Sequence, residues 1–146
     1  MLDIKTLLTK ILKCLYVSGK SGGWTYRKYF DGTLECWYKG NPGAYTCGTA
    51  RGSWYSGGDL TFTYPIAFSE APTITGNVSL GTSAYVVEWQ FNGFGAASCQ
   101  GRIVSGSSIA QNTNYWIFIH AIGTWGGYFL TSTFPHGNYV RGCIAC

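Results

Sequence analysis

Between Trp24 and Trp125 no apolar run continues beyond the length of one strand before Gly, Pro, Asn or Ser interrupts it. An amphipathic helix needs ten or more residues of uninterrupted three-to-four spacing, so this punctuation restricts that region to short strands and turns. Strands are expected near residues 24–30, 33–39, 48–55, 59–67, 72–80, 84–92, 97–104 and 114–122, with one or two further strands from Gly126 to Cys146. That many short strands at close spacing point to an all-β fold, a β-sandwich of jelly-roll-like character, rather than a parallel α/β sheet. A chain of 146 residues is about one domain and long enough to bury a core. With 17% aromatic residues and only 11% charged ones, it has the balance of a β-rich recognition protein.

The first residues read differently. Ile4, Leu7, Leu8, Ile11, Leu12 and Leu15 recur at helical spacing after Asp3, a natural N-cap. In heptad register Leu8 and Leu15 fall at position a, and Ile4 and Ile11 at d. That choice favours three or more chains over two. Packing of the same stripe on the body of its own subunit is the alternative. A helix this short is marginal alone in water, which favours association between chains. The run from Ser18 to Gly23 is expected to be a Gly/Ser linker. The expected organisation is therefore an oligomerisation helix in 1–17, a linker in 18–23 and a β-sandwich in 24–146.

Within "WTYRKYFDGTLECWYKG" the Asp31-Gly32 pair predicts a two-residue hairpin loop. The register that follows pairs Phe30 with Thr33, Lys28 with Glu35, Tyr26 with Trp37 and Trp24 with Lys39. Rings then occupy both faces of the ribbon, whereas a lone sandwich hydrates one face of each sheet. The arrangement fits a second face that meets a neighbouring subunit. Ile4, Leu8, Ile11 and Leu15 of the helix, with Tyr26 and Trp37 of the hairpin, are the expected oligomer contacts, most simply of a homotrimer.

Chemistry-bearing residues are few. Of the six carboxylates, Asp3 suits a cap, Asp31 a turn, Glu35 an ion pair with Lys28 and Glu70 the "SEAP" turn. Asp59 and Glu88 are left as a thin pool for the paired carboxylates of a glycoside hydrolase. Cys99 and His120 are more simply strand packing residues than a nucleophile and its base. Cys143 and Cys146 form one CxxC with only His120 and His136 elsewhere, short of a zinc site, so neither metal nor cofactor is expected. The net charge is +4 without a basic stripe, which argues against nucleic-acid binding. The opening "MLDIKTLLTKILKCLYVSG" has lysines through its apolar runs, so neither a secretory leader nor membrane insertion is expected. The six cysteines are accordingly read as free thiols rather than disulfides. Aromatics in Gly-rich loops offer more: Trp54, Tyr55 and Asp59 in "RGSWYSGGD", and Trp125 and Tyr128 in "GTWGGYF", are candidate platforms for a sugar ring or a protein surface. The competing role for those rings is burial in the core or a subunit interface.

"GGWTYRKYFDGTLECWYKG", "FTYPIAFSEAPTITGNVS" and "NYWIFIHAIGTW" resemble the small β-domains of tail and minor structural proteins in phages of Gram-positive gut bacteria. Those domains show a W-x-Y-R-K hairpin with a DG turn and E-C-W, an apolar strand ending in F-x-x-x-P, and a closing strand ending in A-I-G-x-W. The resemblance covers about residues 22–125, and "DIKTLLTKIL" looks like the attachment helix that opens such proteins. The chain departs from the pattern by continuing into "GGYFLTSTFPHGNYVRGCIAC". The resemblance implies a virion fibre or appendage component that is not an enzyme. Its partners would be copies of itself, other virion proteins reached through the helix, and a bacterial surface glycan. A virion structural or head-decoration role without receptor binding is the alternative. A carbohydrate-binding module or a cell-wall hydrolase-associated domain is a third.

Overall fold

The computed structural model describes residues 3–81, 85–112 and 115–126. It opens with helix α1 (Ile4–Cys14), followed by β1 (Tyr16–Ser21), β2 (Trp24–Tyr29), β3 (Thr33–Gly40), β4 (Tyr45–Cys47), β5 (Thr49–Arg51) and β6 (Trp54–Ser56). Then come β7 (Leu60–Thr63), β8 (Thr73–Leu80), β9 (Val87–Phe94), β10 (Ser98–Ser105), β11 (Ile109–Asn112) and β12 (Tyr115–Thr124). The all-β class is as expected, with several antiparallel sheets and one short N-terminal helix.

One five-stranded sheet has the order β1-β2-β3-β12-β8. In the other, β10 pairs with β9 along one edge, and along its opposite edge with β7 at residues 98–101 and β6 at 104–105; β5 extends β6. β4 and β11 form a small separate ladder. Alternation along the central strands decides what is buried. β12 sends Tyr115, Ile117, Ile119 and Ala121 inward, and β10 sends Cys99, Gly101, Ile103 and Ser105 inward, all fully or nearly fully buried.

A chain of rings joins the two sheets. Trp24 on β2 meets Tyr64 at 5.4 Å, Tyr38 on β3 meets Phe62 on β7 at 4.8 Å, and Phe62 meets Trp89 on β9 at 5.8 Å. Such tilted and edge-on pairs add to the burial of their area. The sheets also meet at Gly76 on β8, where a Cβ would lie 2.6 Å from the Trp89 ring and 2.7 Å from that of Phe91.

The hairpin differs from expectation by one residue. Tyr26 pairs with Cys36, Arg27 with Glu35 and Lys28 with Leu34, so the connection is the three-residue loop Phe30-Asp31-Gly32. Gly32 takes φ +91°, Gly32 N–H donates to the Tyr29 carbonyl (3.2 Å), and Asp31 Oδ1 accepts from Thr33 N–H (2.9 Å). This is a turn followed by a left-handed residue, the usual three-residue solution, and the Asx bond favours it over the two-residue loop. A slip of one reverses the relation between facing side chains. Leu34 and Cys36 enter the core at 0% exposure. Glu35 faces Arg27 and accepts from the Tyr29 hydroxyl at 3.0 Å instead of pairing with Lys28.

The expected linker is also corrected in part. Residues 18–21 belong to β1, which pairs with β2 along its whole length, and only Gly22 and Gly23 form the turn, both at positive φ. Gly19 permits this pairing because the Tyr26 ring lies over it. The thiols of Cys36, Cys47 and Cys99 are free and buried, as read from the sequence; Cys143 and Cys146 lie outside the described residues.

Candidate functional site

The outer face of the second sheet holds a groove with a volume of about 430 Å³, lined by Arg51, Trp54, Ser56, Glu88, Gln90, Arg102 and Val104. Strand register explains the grouping. Arg51 faces Trp54 across β5 and β6; Ser56, Val104 and Glu88 lie on one rung across β6, β10 and β9; Arg102 faces Gln90 on the next. Residues two apart on a strand share a face, so the inward positions of β9 and β10 leave this polar set outside.

The side chains are held in place. Arg51 Nε donates to Ser56 Oγ at 3.2 Å, and Ser56 itself is buried. Arg102 is 19% exposed and forms an ion pair with Asp59, Nε to Oδ1 3.3 Å, at an angle outside hydrogen-bond geometry. Beneath the floor, the Tyr45 hydroxyl accepts from Ile103 N–H (2.8 Å) and shares its hydrogen between the carbonyls of Gly58 (3.1 Å) and Ile103 (3.3 Å). The Cys47 thiol points its hydrogen at the Tyr55 and Ile103 carbonyls, both 3.3 Å away. These bonds tie β4 to β6 and β10, the two adjacent strands in the middle of the groove. Burial raises the pKa of both Tyr45 and Cys47, so each stays protonated and able to donate.

The residues expected at a ligand face separate in space. Trp54 lines the groove at 43% exposure. Tyr55 alternates to the other side and packs against the core, and Asp59 supports Arg102 from beside the groove. Trp125 is half-buried: its indole N–H donates to the Tyr29 carbonyl (2.9 Å), and Lys28 Nζ lies 3.5 Å from its ring centroid. It clamps the hairpin instead of standing free in a loop. Tyr128 lies outside the described residues. Sequence reasoning missed Arg51, Ser56, Gln90, Arg102 and Val104. The alternation in "SCQGRIVS" and "VEWQF" marks Arg102, Val104 and Gln90 as outward, but which strands neighbour each other is not written there.

Cys99 and His120 do not converge. Cys99 faces the core from β10, whereas His120 lies on the outer face of β12, stacked on Trp37 with centroids 5.4 Å apart and planes 3° from parallel. That outer face of the first sheet also carries Arg27, 5.1 Å from the Tyr16 ring and 5.3 Å from that of Trp37, and Lys39 near Trp116 and Phe118. Trp37 is therefore outward while Tyr26, its expected cross-strand partner, is on the opposite face and packs against the core. On α1, Ile4 is 81% exposed, and Leu8 and Ile11 are each about half exposed; the helix ends at Cys14, short of the expected residue 17, so Leu15, also about half exposed, lies beyond it with its carbonyl accepting from Phe30 N–H (3.2 Å).

No protein-family model matches the chain, and no curated protein does. Among solved structures, an R1 pyocin fiber of P. aeruginosa comprising C-terminal residues 323–701 is similar, with a TM-score of 0.53 and 23% identity over 84% of this chain and 32% of that one. An N-truncated R1-type pyocin tail fiber is similar with a TM-score of 0.53 and 22% identity, over 84% of this chain and 98% of the other. The chain thus spans about a third of the longer fiber fragment. The likeness is one of fold: this β-architecture is also found in pyocin tail fibers.

Proposed function

We propose that this chain is an oligomeric β-domain of a phage-type fibre or appendage, presenting a face that attaches to the bacterial envelope. The observation that carries the reading is the shared fold, which extends over 84% of this chain and 98% of a pyocin tail fiber fragment. Three features of the chain support it. The exposed Ile4, Leu8 and Ile11 on α1, with Leu15 just beyond the helix, suit a seam between three chains. The outward aromatic face with Trp37, Trp116 and Phe118 suits contact between neighbouring subunits. The groove beside Trp54 supplies a flat ring among hydrogen-bonding groups, the arrangement that sugar recognition uses.

In this reading the protein acts in the assembled particle, and by binding rather than by turnover. Asp59 is ion-paired with Arg102, a supporting position at the edge of the groove. Binding of the full chain to isolated cell walls of candidate hosts, or to a glycan array, is the test. Retention that is lost on Trp54→Ala, with the fold intact, is the expected result; retention unchanged by that substitution overturns the assignment of the face. A second reading, a virion structural or decoration protein anchored by α1, is favoured by the exposure of that helix. It requires co-purification with particle proteins and no envelope binding.

A further inference from the structure

Resting on the attachment reading, we infer that the groove on the second sheet takes one uncharged pyranose, and that Glu88 makes it select against acidic sugars. The groove combines groups that no simple anion would use together. Arg51 and Arg102 only donate hydrogen bonds, Glu88 only accepts, and Gln90 does both. A sugar hydroxyl also donates and accepts, so vicinal hydroxyls engage a guanidinium and a carboxylate at once. Val104 on the floor and the exposed Trp54 ring beside it offer apolar surface to the C–H face of the same ring.

Charge decides between sugar classes. The two guanidiniums are balanced by Glu88 within the groove and Asp59 at its edge. Arg102 already has its counter-charge at 3.3 Å. A carboxylated or phosphorylated sugar gains little from that neutralised pair and meets Glu88 as a like charge. Among the described residues the Nη atoms of both arginines, the Glu88 carboxylate and the Gln90 amide make no hydrogen bond within the protein, so all are available to a ligand. The volume of about 430 Å³ lies toward the lower end of small-molecule sites, about 300–1,000 Å³. A weak single site suffices for attachment, because several copies on one particle multiply its effect.

The test is a titration of the ¹⁵N-labelled full chain, following the Trp54 indole N–H, assigned by its absence in Trp54→Phe. The probes are the methyl glycosides of glucose, galactose and mannose on one side, and glucuronate and sialic acid on the other. The expected result is a saturable shift with at least one neutral glycoside, with a Kd on the order of 1 mM, and a weaker or absent response to both acidic sugars. Glu88→Gln is expected to weaken the neutral glycoside about tenfold, as loss of a charged hydrogen bond does, and to narrow the preference over glucuronate. Tighter binding of an acidic sugar by the unaltered protein, no saturable shift with any probe, or a Glu88→Gln variant of unchanged affinity and preference overturns the inference. If envelope binding still depends on Trp54 when one of these is seen, attachment stands and only the sugar class falls; if envelope binding is absent too, attachment falls with it.

Discussion

Trp54 and Trp125 both come from glycine-rich stretches, yet the structure gives them opposite work. Trp54 exposes 43% of its surface over the groove, so Trp54→Ala is expected to cost under about 1 kcal/mol of stability. Trp125 donates to the Tyr29 carbonyl and lies under Lys28. Trp125→Ala removes a hydrogen bond, a cation–π contact and half-buried area, for a loss of about 2 kcal/mol, measured as a lower urea midpoint. Buried thiols give a second prediction at this scale. Burial pushes the Cys36 thiol up to about 12 and raises Cys47 and Cys99 as well, while Tyr115 is likewise pushed up to about 12. These groups keep their protons in the folded state at pH values where the unfolded chain has begun to lose them. Their neutral forms are shared by both states below about pH 8, and stability falls as pH rises from about 9 toward 12. Urea midpoints measured across that range should fall steadily; a flat profile would contradict the burial of these groups.

At the level of the element, the β2–β3 hairpin shows how a local signal is right in kind and wrong in count. Asp31-Gly32 does mark a turn, but the Asp31 side chain bonds to Thr33 N–H, and Gly32 supplies one positive-φ residue after a turn instead of half of a two-residue loop. The buried positions Leu34 and Cys36 are satisfied only in this register. Gly32→Ala forces a side chain into φ +91° and is expected to cost about 1 to 2 kcal/mol, although a Cβ there meets nothing within 4 Å. Thermal melts of Gly32→Ala and Asp31→Ala test this, with the smaller loss, about 1 kcal/mol, for Asp31→Ala. β1 was hidden for a related reason. "SGKSGG" has the composition of a linker, but an edge strand needs only backbone pairing with β2, which Ser18, Gly19 and Lys20 provide without any apolar pattern.

At the scale of the whole molecule, one chain leaves two apolar surfaces uncovered. Ile4, Leu7, Leu8 and Ile11 on α1, Leu15 just beyond it, and Trp116, Phe118 and Ile122 on the outer face of β12, are each more than a third exposed. If association covers the helix stripe, light scattering at micromolar concentration gives a mass of three chains. The double substitution Leu8→Asp, Ile11→Asp then gives single chains that keep their β-sheet circular dichroism. A monomer for the unaltered protein would remove the trimer from the proposal.

The fold class and most of the longer strands were open to reading from one dimension, whereas the short β4 and β11 and the edge strand β1 were not. Short punctuated runs exclude long helices between residues 24 and 125, and the three-to-four spacing before residue 16 allows a helix there. Both are local properties, since strand alternation and helix periodicity depend on neighbours along the chain. The groove was not open in that way. Arg51, Trp54, Glu88 and Arg102 come from β5, β6, β9 and β10, and they meet because β10 accepts β6 on one edge and β9 on the other. Pairing between distant strands is settled by how the aromatic core fills the space between two sheets, a property that no single segment carries.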